Sequence, residues 1–559
     1  MSRKTILIAV LFIACSINSI AQSQVYQYSG FTTDHRSIVT LPNGDYAATE
    51  SAIDNNGRSD LHFTIYDQAG NISLDKIIYT DNAYFLQNID VEYFNNGNDR
   101  LLVTMARGNN VDPNFNTIEL IELDLAGNIL QNISVTSNDP DYINLFPMDA
   151  IFDPNSQMFV ICGSATAPRE DFSSPFSSTT DKRAFLLQVD INFNIINMEF
   201  YNSNAGGLPK DYDIATRIKL TQNGQYYLMG SENVDKGLGE HVAGIRNMLI
   251  DPNSLNTIWS VPVHLNRNSS QENSVDMMEM KTNNGDEFIV LINSTDTMLD
   301  FLPAWYMTAK WWIHRIDPTN GTALYNNFET TGPTSYFLFS HPQGFPYYCA
   351  DIGYRLQAGN NSGDVVVSGL KYPTVNRQCN TMAWGSYHTP NPIAEVVPFM
   401  ATINVSNYPT TITSHLEYYS LLTGTYWGLY GNTLYNNFPY GDFFVLNYLN
   451  EFSDRLQTGS PYGMVAPVGT LTTKFLDINS NTNNGCDDVR CNYFIAESQM
   501  LPVYPPLDLQ EINQMPVAQQ LALDVIDVYP DQIDGCASGH YKPTTTVGNQ
   551  SELLKNDMK

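Results

Sequence analysis

The 559-residue sequence is poor in basic residues and lacks the short motifs that mark common enzyme classes. Its 28 Lys and Arg stand against 58 Asp and Glu, a net charge of −30, which disfavours nucleic acid and anionic membranes as partners. It has no P-loop, no Gly-x-Ser-x-Gly, no His-Glu-x-x-His and no glycine-rich dinucleotide fingerprint. The nine histidines show no metal-ligand spacing. The sequence therefore predicts no catalytic residue and no organic cofactor.

Long apolar runs are absent beyond the N-terminus. There, Arg3 and Lys4 precede an apolar stretch, and Ser19-Ile20-Ala21 has the small-residue pattern of a cleavage site. We predict a signal peptide over residues 1–21, with acylation at Cys15 as the less favoured alternative. No later segment holds the ~18 apolar residues of a transmembrane helix. The mature chain is thus expected in the periplasm, on the outer-membrane surface or outside the cell.

The cysteines are few and fit an exported protein. Six of the seven follow Cys15, an even number, as disulfides require. We predict two bridges, Cys349–Cys379 and Cys486–Cys491. Cys162 and Cys536 are left over. They either pair with each other or leave Cys162 as a buried free thiol, because it lies inside an apolar strand.

A phrase of the form apolar-Asp-x-x-(Gly/Asn)-x-apolar recurs six times, with its key residue at 67, 124, 190, 251, 317 and, as Asn, at 404. Alternating apolar residues flank each copy, which indicates an antiparallel hairpin. A second hairpin with a Pro/Asn/Gly turn precedes each one, as at Pro42-Asn43-Gly44 and Asn95-Asn96-Gly97. Two hairpins make four strands, which is one β-propeller blade.

The blade count follows from these hairpins. Six pairs are clear, and Asn483-Asn484-Gly485 is predicted as the first turn of a seventh blade. Val25 to Ser29 reads as an isolated outer strand, which can complete the last blade and cover its edge. We predict an all-β fold with a seven-bladed propeller over 22–500. Six or eight blades, or a β-sandwich array, are the alternatives. Residues 501–559 lack a repeat and are predicted to be a partly disordered extension.

A polar loop beginning at Asp477 resembles an EF-hand calcium loop, with oxygen side chains at its positions 1, 3, 5 and 12. These residues are Asp477, Asn479, Asn481 and Asp488. Thr482 replaces the glycine of the EF-hand, and Asp488 replaces its bidentate Glu. The competing interpretation is a polar hairpin loop without metal, so Ca²⁺ is a candidate cofactor only.

Three insertions rich in aromatic residues, at 331–347, 371–396 and 417–441, interrupt the last repeats. Tyr and Trp offer flat apolar faces with polar tips, which suits glycan or protein recognition. The alternative is that they pack on one another as a lid over the channel. The candidate binding residues are Tyr336, Phe339, Phe345, Tyr372, Trp384, Tyr387, Tyr426, Trp427 and Tyr430.

The chain resembles secreted seven-bladed propeller proteins of Bacteroidota-type bacteria. The resemblance rests on Ile20-Ala21-Gln22, the Asn-Gly turns and the Asp phrases at 67 and 124. It implies an architecture and no activity. From the aromatic insertions we expect a non-catalytic binding propeller that recognises a glycan or an envelope or extracellular protein. A polysaccharide-active enzyme (glycosidase or lyase) and a structural subunit of an outer-membrane complex are the alternatives.

Overall fold

The computed structural model describes residues 23–28, 31–54, 59–67, 71–79, 84–109, 116–139, 142–166, 182–204, 213–235, 241–265, 269–298, 306–325, 327–330, 348–359, 361–371, 397–407, 410–418 and nine short strands between 446 and 534. These residues form strands and turns and contain no helix. No helix long and apolar enough to cross a membrane therefore occurs in this part of the chain.

After strand β1 (Ser23–Tyr28), the chain runs through successive antiparallel meanders of four strands. The first three are β2 (Phe31–Thr40), β3 (Tyr46–Asp54), β4 (Ser59–Tyr66), β5 (Ile72–Tyr79); β6 (Tyr84–Asn95), β7 (Asp99–Asn109), β8 (Asn116–Asp124), β9 (Ile129–Thr136); and β10 (Asn144–Asp153), β11 (Met158–Thr166), β12 (Lys182–Asp190), β13 (Ile195–Asn204).

The next three meanders share one larger sheet through short parallel bridges. They are β14 (Ile214–Leu220), β15 (Tyr226–Asp235), β16 (His241–Ile250), β17 (Thr257–Ser260), followed by the short β18 (His264–Leu265); β19 (Ser269–Thr282), β20 (Gly285–Met298), β21 (Tyr306–Ile316), β22 (Asn327–Thr330); and β23 (Tyr348–Ala358), β24 (Asp364–Lys371), β25 (Val397–Asn404), β26 (Thr411–Tyr418).

A seventh meander is built from both ends of the chain. Strands β27 (Leu446–Asn450), β28 (Ser453–Thr458) and β29 (Leu471–Asp477) pair in order, and β1 adds to β29 as the fourth strand. The predicted closure by the N-terminal strand is confirmed. The predicted hairpin turn at Asn483-Asn484-Gly485 is wrong, because the first turn of this meander lies between Asn450 and Ser453. The sequence around that turn has no Asn-Gly signal.

The first strands of the meanders contact one another in chain order, and β27 contacts both β23 and β2. The sheets therefore stand around a common axis, and the fold is an all-β propeller. Seven four-stranded meanders lie in the part of the chain that the structure describes. Below, each meander is called a blade and is numbered in chain order from β2–β5.

The hydrophobic core lies between neighbouring blades. One cluster joins Phe63 and Leu61 of the first blade to Val103 and Ile121 of the second. Another joins the second blade to the third through Phe94 and Phe159, whose ring centroids are 4.7 Å apart. Each sheet thus buries both faces, which explains the nearly continuous apolar runs in the second strands.

The recurring Asp phrase closes the turn between the third and fourth strands. In the second blade, Asp124 Oδ1 accepts hydrogen bonds from the backbone N–H of Ala126 at 2.9 Å and of Asn128 at 2.8 Å. These bonds hold the pKa of Asp124 below its usual value, against a raising effect of burial. Gly127 has φ of 72°, which a side chain disfavours. The phrase is therefore a structural turn, repeated from blade to blade.

The chain after Asp477 adds six strands to the outer edges of the blades: β30 (Asp488–Arg490), β31 (Ala496–Leu501), β32 (Asp508–Asn513), β33 (Val517–Gln519), β34 (Asp524–Asp527) and β35 (Asp531–Asp534). Strand β30 pairs with β26, β31 with β22 and β18, and β32 with β13. Strand β33 pairs with β9, β34 with β5 and β35 with β1. The C-terminal strands thus pass around the propeller in the reverse direction. The sequence did not predict this arrangement.

A charged axial cavity as the candidate functional site

Six of the first strands carry a β-bulge at the same level. In each case, the pairing register between the first and second strands of the blade shifts by one residue or more at the bulge. A bulge re-aims the next side chain. These post-bulge residues are Ser37, Asp90, Asp149, Arg217, Asp276 and Arg355. Five of the six are charged, although most of them are buried or half-buried.

Three post-bulge residues accept hydrogen bonds from the backbone of the next blade. Ile218 N–H donates to Asp149 Oδ2 at 2.9 Å, and Leu356 N–H donates to Asp276 Oδ2 at 2.8 Å. Ser37 Oγ accepts a hydrogen bond from the N–H of Val91, in the second blade, at 3.2 Å. The first strand of a sheet has one edge without a neighbouring strand, so its N–H groups need other acceptors. These side chains supply them.

Cations face these carboxylates from the fourth blade. Lys219 Nζ lies 3.1 Å from Asp276 Oδ1, and Arg217 Nε lies 3.9 Å from Asp149 Oδ2. Within the described residues, the third cation, Arg355, has no carboxylate at ion-pair distance. Among the described residues, the site therefore combines paired charges with one guanidinium that has no carboxylate partner.

Two carboxyl groups on the first strand of the second blade have strongly raised pKa values. Burial and the neighbouring Asp149 raise the pKa of Asp90 to about 7, although the Ser37 hydroxyl donates to Asp90 at 2.5 Å. Burial, with Asp90 and Asp149 nearby, raises the pKa of Glu92 to about 8. At neutral pH, Glu92 is therefore mostly protonated and can donate a hydrogen bond. Burial also raises the pKa of Asp149.

These groups line a cavity of about 220 Å³ that is bounded by the first strands of six blades. Its wall includes Asp90 and Glu92 on one strand, Arg217 and Lys219 on another, and Arg355. This volume is below the usual range of sites for drug-sized ligands, so a ligand held there must be small. The arrangement offers a ligand both proton donors and acceptors, with carboxyl groups in different protonation states.

The sequence contained a signal for these residues that the prediction missed. Ser37, Asp90, Asp149 and Arg217 stand four or five residues before the predicted first turns that begin at Pro42, Asn95, Asp153 and Gln222. Asp276 and Arg355 stand seven and six residues before the turns that begin at Asn283 and Asn361. A polar or charged residue four to seven residues before a first turn therefore marks the wall of the channel.

A second polar cluster, away from the cavity, has the composition of a catalytic triad. His62 Nδ1 lies 2.5 Å from Glu50 Oε1, and its Nε2 contacts Asp75 Oδ1. His62 is 0% exposed and Glu50 2%. Because both ring nitrogens face carboxylates and no solvent reaches the ring, this cluster cross-links strands β3, β4 and β5 and is not a site for a substrate.

The predicted aromatic binding residues lie outside the described residues, but the strand ends on either side of their segments are described. Those ends are Thr330 and Tyr348, Lys371 and Val397, and Tyr418 and Leu446. In every blade, the first and third turns lie at one end of the strands, and all other connections lie at the opposite end. All three segments therefore start and finish on this second side of the propeller, which we call the loop face.

The predicted metal and disulfide residues are only partly described. Asp477 ends β29 and Asp488 begins β30, while Asn479 and Asn481 lie outside the described residues. The described part of the chain holds no cluster of metal-ligating side chains. Of the four disulfide residues, only the backbone of Cys349 is described, so both bridges stay predictions. Cys162 is a buried free thiol, and burial raises its pKa.

Comparison with known proteins gives no family assignment. No family model matches the sequence, and no curated protein does. Among solved structures, the chain is similar to a GH93 α-L-arabinofuranosidase of Fusarium graminearum, at 9% identity over 62% of this chain and 92% of that one, with a TM-score of 0.36. It is also similar to a Penicillium chrysogenum α-L-arabinanase, at 13% identity over 62% of this chain and 93% of that one, with a TM-score of 0.33.

A Dyadobacter fermentans protein of unknown function gives 10% identity over 82% of this chain and 98% of that one, with a TM-score of 0.37. At these identities and TM-scores, the similarities carry no argument about activity. The propeller assignment rests on the strand pairing described above.

Proposed function

We propose that this protein is an exported binding propeller without catalytic activity, which recognises a glycan or a partner protein of the cell envelope or the extracellular space. The ligand binds through the aromatic segments of the loop face. The observation that carries this proposal is topological. The described strand ends that flank all three segments lie on one side of the propeller, and loops on a rigid scaffold are where binding residues concentrate.

The channel carboxylates favour a binding role over catalysis. Asp149 and Asp276, which an enzyme would need as free base or nucleophile, are engaged by backbone N–H groups and cations of neighbouring blades. A general base must be free to accept the proton of its substrate or water. Their present bonds hold the blades together.

The test is ligand capture with tryptophan variants. The wild-type mature protein is applied to a glycan array and used as bait on solubilised envelope, beside Trp384→Ala and Trp427→Ala. Each change should lower capture by about tenfold or more, because aromatic anchors dominate recognition surfaces. Tyr325→Ala is the matched control, since Tyr325 is a half-buried aromatic residue on the opposite side of the propeller. Undiminished capture by both tryptophan variants would refute the proposal.

A second candidate is a polysaccharide-active propeller enzyme. The observation in its favour is the pair of carboxyl groups with pKa values of about 7 and about 8, at Asp90 and Glu92, in the wall of a cavity. A protonated carboxyl near a second carboxylate is the acid–base pair of glycoside cleavage. Assays of reducing-end release on a polysaccharide panel, with Glu92→Gln as the variant, separate the candidates. Only an enzyme has an activity that Glu92→Gln removes.

The structural-subunit alternative remains a proposal with less support. It needs a contiguous exposed apolar patch. Among the described residues, the exposed large apolar side chains are Leu130, Ile196, Ile258, Leu324 and Val525. Calcium at the Asp477 loop likewise remains a proposal. A rise of the unfolding temperature on Ca²⁺ addition would support it.

A further inference from the structure

The wall of the axial cavity holds hydrogen-bond donors that are not paired with other described residues. Each bonded carboxylate has an identifiable partner, as Asp149 has Ile218 N–H and Asp276 has Lys219. Arg355 differs, because it has no ion-pair or hydrogen-bond partner among the described residues. An arginine presents five N–H donors in a fixed fork, which fits a carboxylate in a bidentate manner.

The charge balance of the cavity favours an anion. Lys219 and Arg217 are matched by Asp276 and Asp149. At neutral pH, Glu92 is mostly uncharged, because burial raises its pKa to about 8, and Asp90 is about half ionised at a pKa of about 7. The guanidinium of Arg355 is thus not fully balanced within the cavity wall.

The cavity is also rich in hydrogen-bonding groups other than the cation. A small inorganic anion would engage Arg355 and leave the carboxyl groups of Asp90 and Glu92 without a ligand partner. Asp90 already accepts a hydrogen bond from Ser37, and Glu92 accepts one from the backbone of Phe152. A carboxyl group has further acceptor sites and, when it is protonated, a donor, so a ligand with hydroxyl groups can bond to both residues. A ligand with hydroxyl groups as well as one carboxylate satisfies both kinds of group, and a cavity of about 220 Å³ limits that ligand to about the size of a monosaccharide.

We propose that the axial cavity binds a sugar acid, with its carboxylate on the Arg355 guanidinium and its hydroxyl groups on Asp90 and Glu92. This site lies in the channel wall and is separate from the loop-face surface proposed above. The two proposals are therefore tested by substitutions at different residues. It requires no cleavage of the ligand.

The experiment is isothermal titration of the mature protein with D-galacturonate, with D-galactose, acetate and inorganic phosphate as comparison probes. Galacturonate should bind about tenfold or more tightly than each of the others, because only it meets both the guanidinium and the carboxyl groups. Phosphate binding as tightly as galacturonate would overturn the proposal, as would galactose binding equally well or the absence of galacturonate binding.

Variants locate the site. Arg355→Gln should weaken galacturonate binding by about tenfold or more, and Arg355→Lys should retain part of the affinity, because a point charge replaces the fork. Arg100→Gln is the matched control, since Arg100 pairs with Glu122 at 3.2 Å and does not line the cavity. Undiminished binding by Arg355→Gln would refute the assignment.

A pH series keeps the test decisive if Arg355→Gln fails to fold. In the wild type, galacturonate binding should weaken as pH rises from 6 to 9, by about tenfold, because ionised Asp90 and Glu92 repel the ligand. Glu92→Gln should reduce this pH dependence. Affinity that is constant over the series in the wild type would contradict the proposed contacts.

Discussion

The inner and outer edges of the blades satisfy their unpaired backbone groups in two different ways. Every sheet ends in two strands, each with one edge of unpaired backbone groups, and such edges invite intermolecular pairing. At the inner edge, side chains such as Asp149 and Asp276 accept the N–H groups of the next blade. At the outer edge, strands from residues 488–534 complete the hydrogen-bond ladder.

The two solutions leave different surfaces. Pairing by strands at the outer edge uses backbone groups alone. Pairing by side chains at the inner edge brings carboxylates together around the axis, where cations must balance them and pKa values rise. The inner edge therefore carries chemistry as a consequence of how it is stabilised, and the outer edge is structural. Three predictions test this difference.

The largest effect is expected from removing the outer strands. A chain that ends after Asp487 lacks all six C-terminal strands and exposes the edges that they cover. We expect the unfolding temperature to fall by roughly 5–10 °C and the protein to self-associate. Thermal unfolding and light scattering measure both. A chain that ends after Asp534 keeps the strands and is the control. Equal unfolding temperatures of the two truncated chains would contradict the claim that the C-terminal strands stabilise the outer edges.

A smaller effect is expected at a single point of the inner edge. Asp276 is 0% exposed, accepts Leu356 N–H and pairs with Lys219. Asp276→Ala leaves these groups unpaired, so unfolding in denaturant should become easier by about 3–5 kcal/mol. Asp286→Ala, an exposed residue of the same blade, should change stability by less than about 0.5 kcal/mol. A loss below about 1 kcal/mol for Asp276→Ala would show that the inner-edge bonds are dispensable.

The smallest effect concerns pH. Glu92 has a pKa near 8 in the fold and an ordinary value when unfolded, so the native state binds more protons between these values. Its contribution to stability is present below the unfolded pKa and is lost as pH rises through about 8. The unfolding temperature should fall by about 2–5 °C between pH 5 and 8. Glu92→Gln should flatten this slope. Glu119, whose pKa burial also raises to about 8, maintains part of it.

Local signals predicted the fold well and the site poorly. Asp124 and its equivalents fix turns through bonds to residues two and four positions away, so the sequence alone reveals them. The strand at Ser23–Tyr28 was identified because its apolar pattern needed a partner. The cavity depends on Asp149 meeting Ile218, which is 69 residues away. Such contacts between blades follow from the closed ring and have no local pattern.

The C-terminal strands were missed for a related reason. Segments such as Val517–Gln519 are only three residues long, so no alternating pattern develops. Their conformation is imposed by the edge that they complete. Pairing of Val517–Gln519 with Ser134–Thr136 becomes visible only when the second blade exists.

Hydrogen exchange tests the central claim, that the two edges are stabilised independently and by different means. Amide exchange is compared between the full mature chain and the chain ending after Asp487. We predict that protection falls in the outer strands, at Ile77–Ile78 and Ser134–Thr136, while the inner-edge amides of Ile218 and Leu356 keep theirs. Unchanged protection at the outer strands, or equal loss at both edges, would contradict the claim.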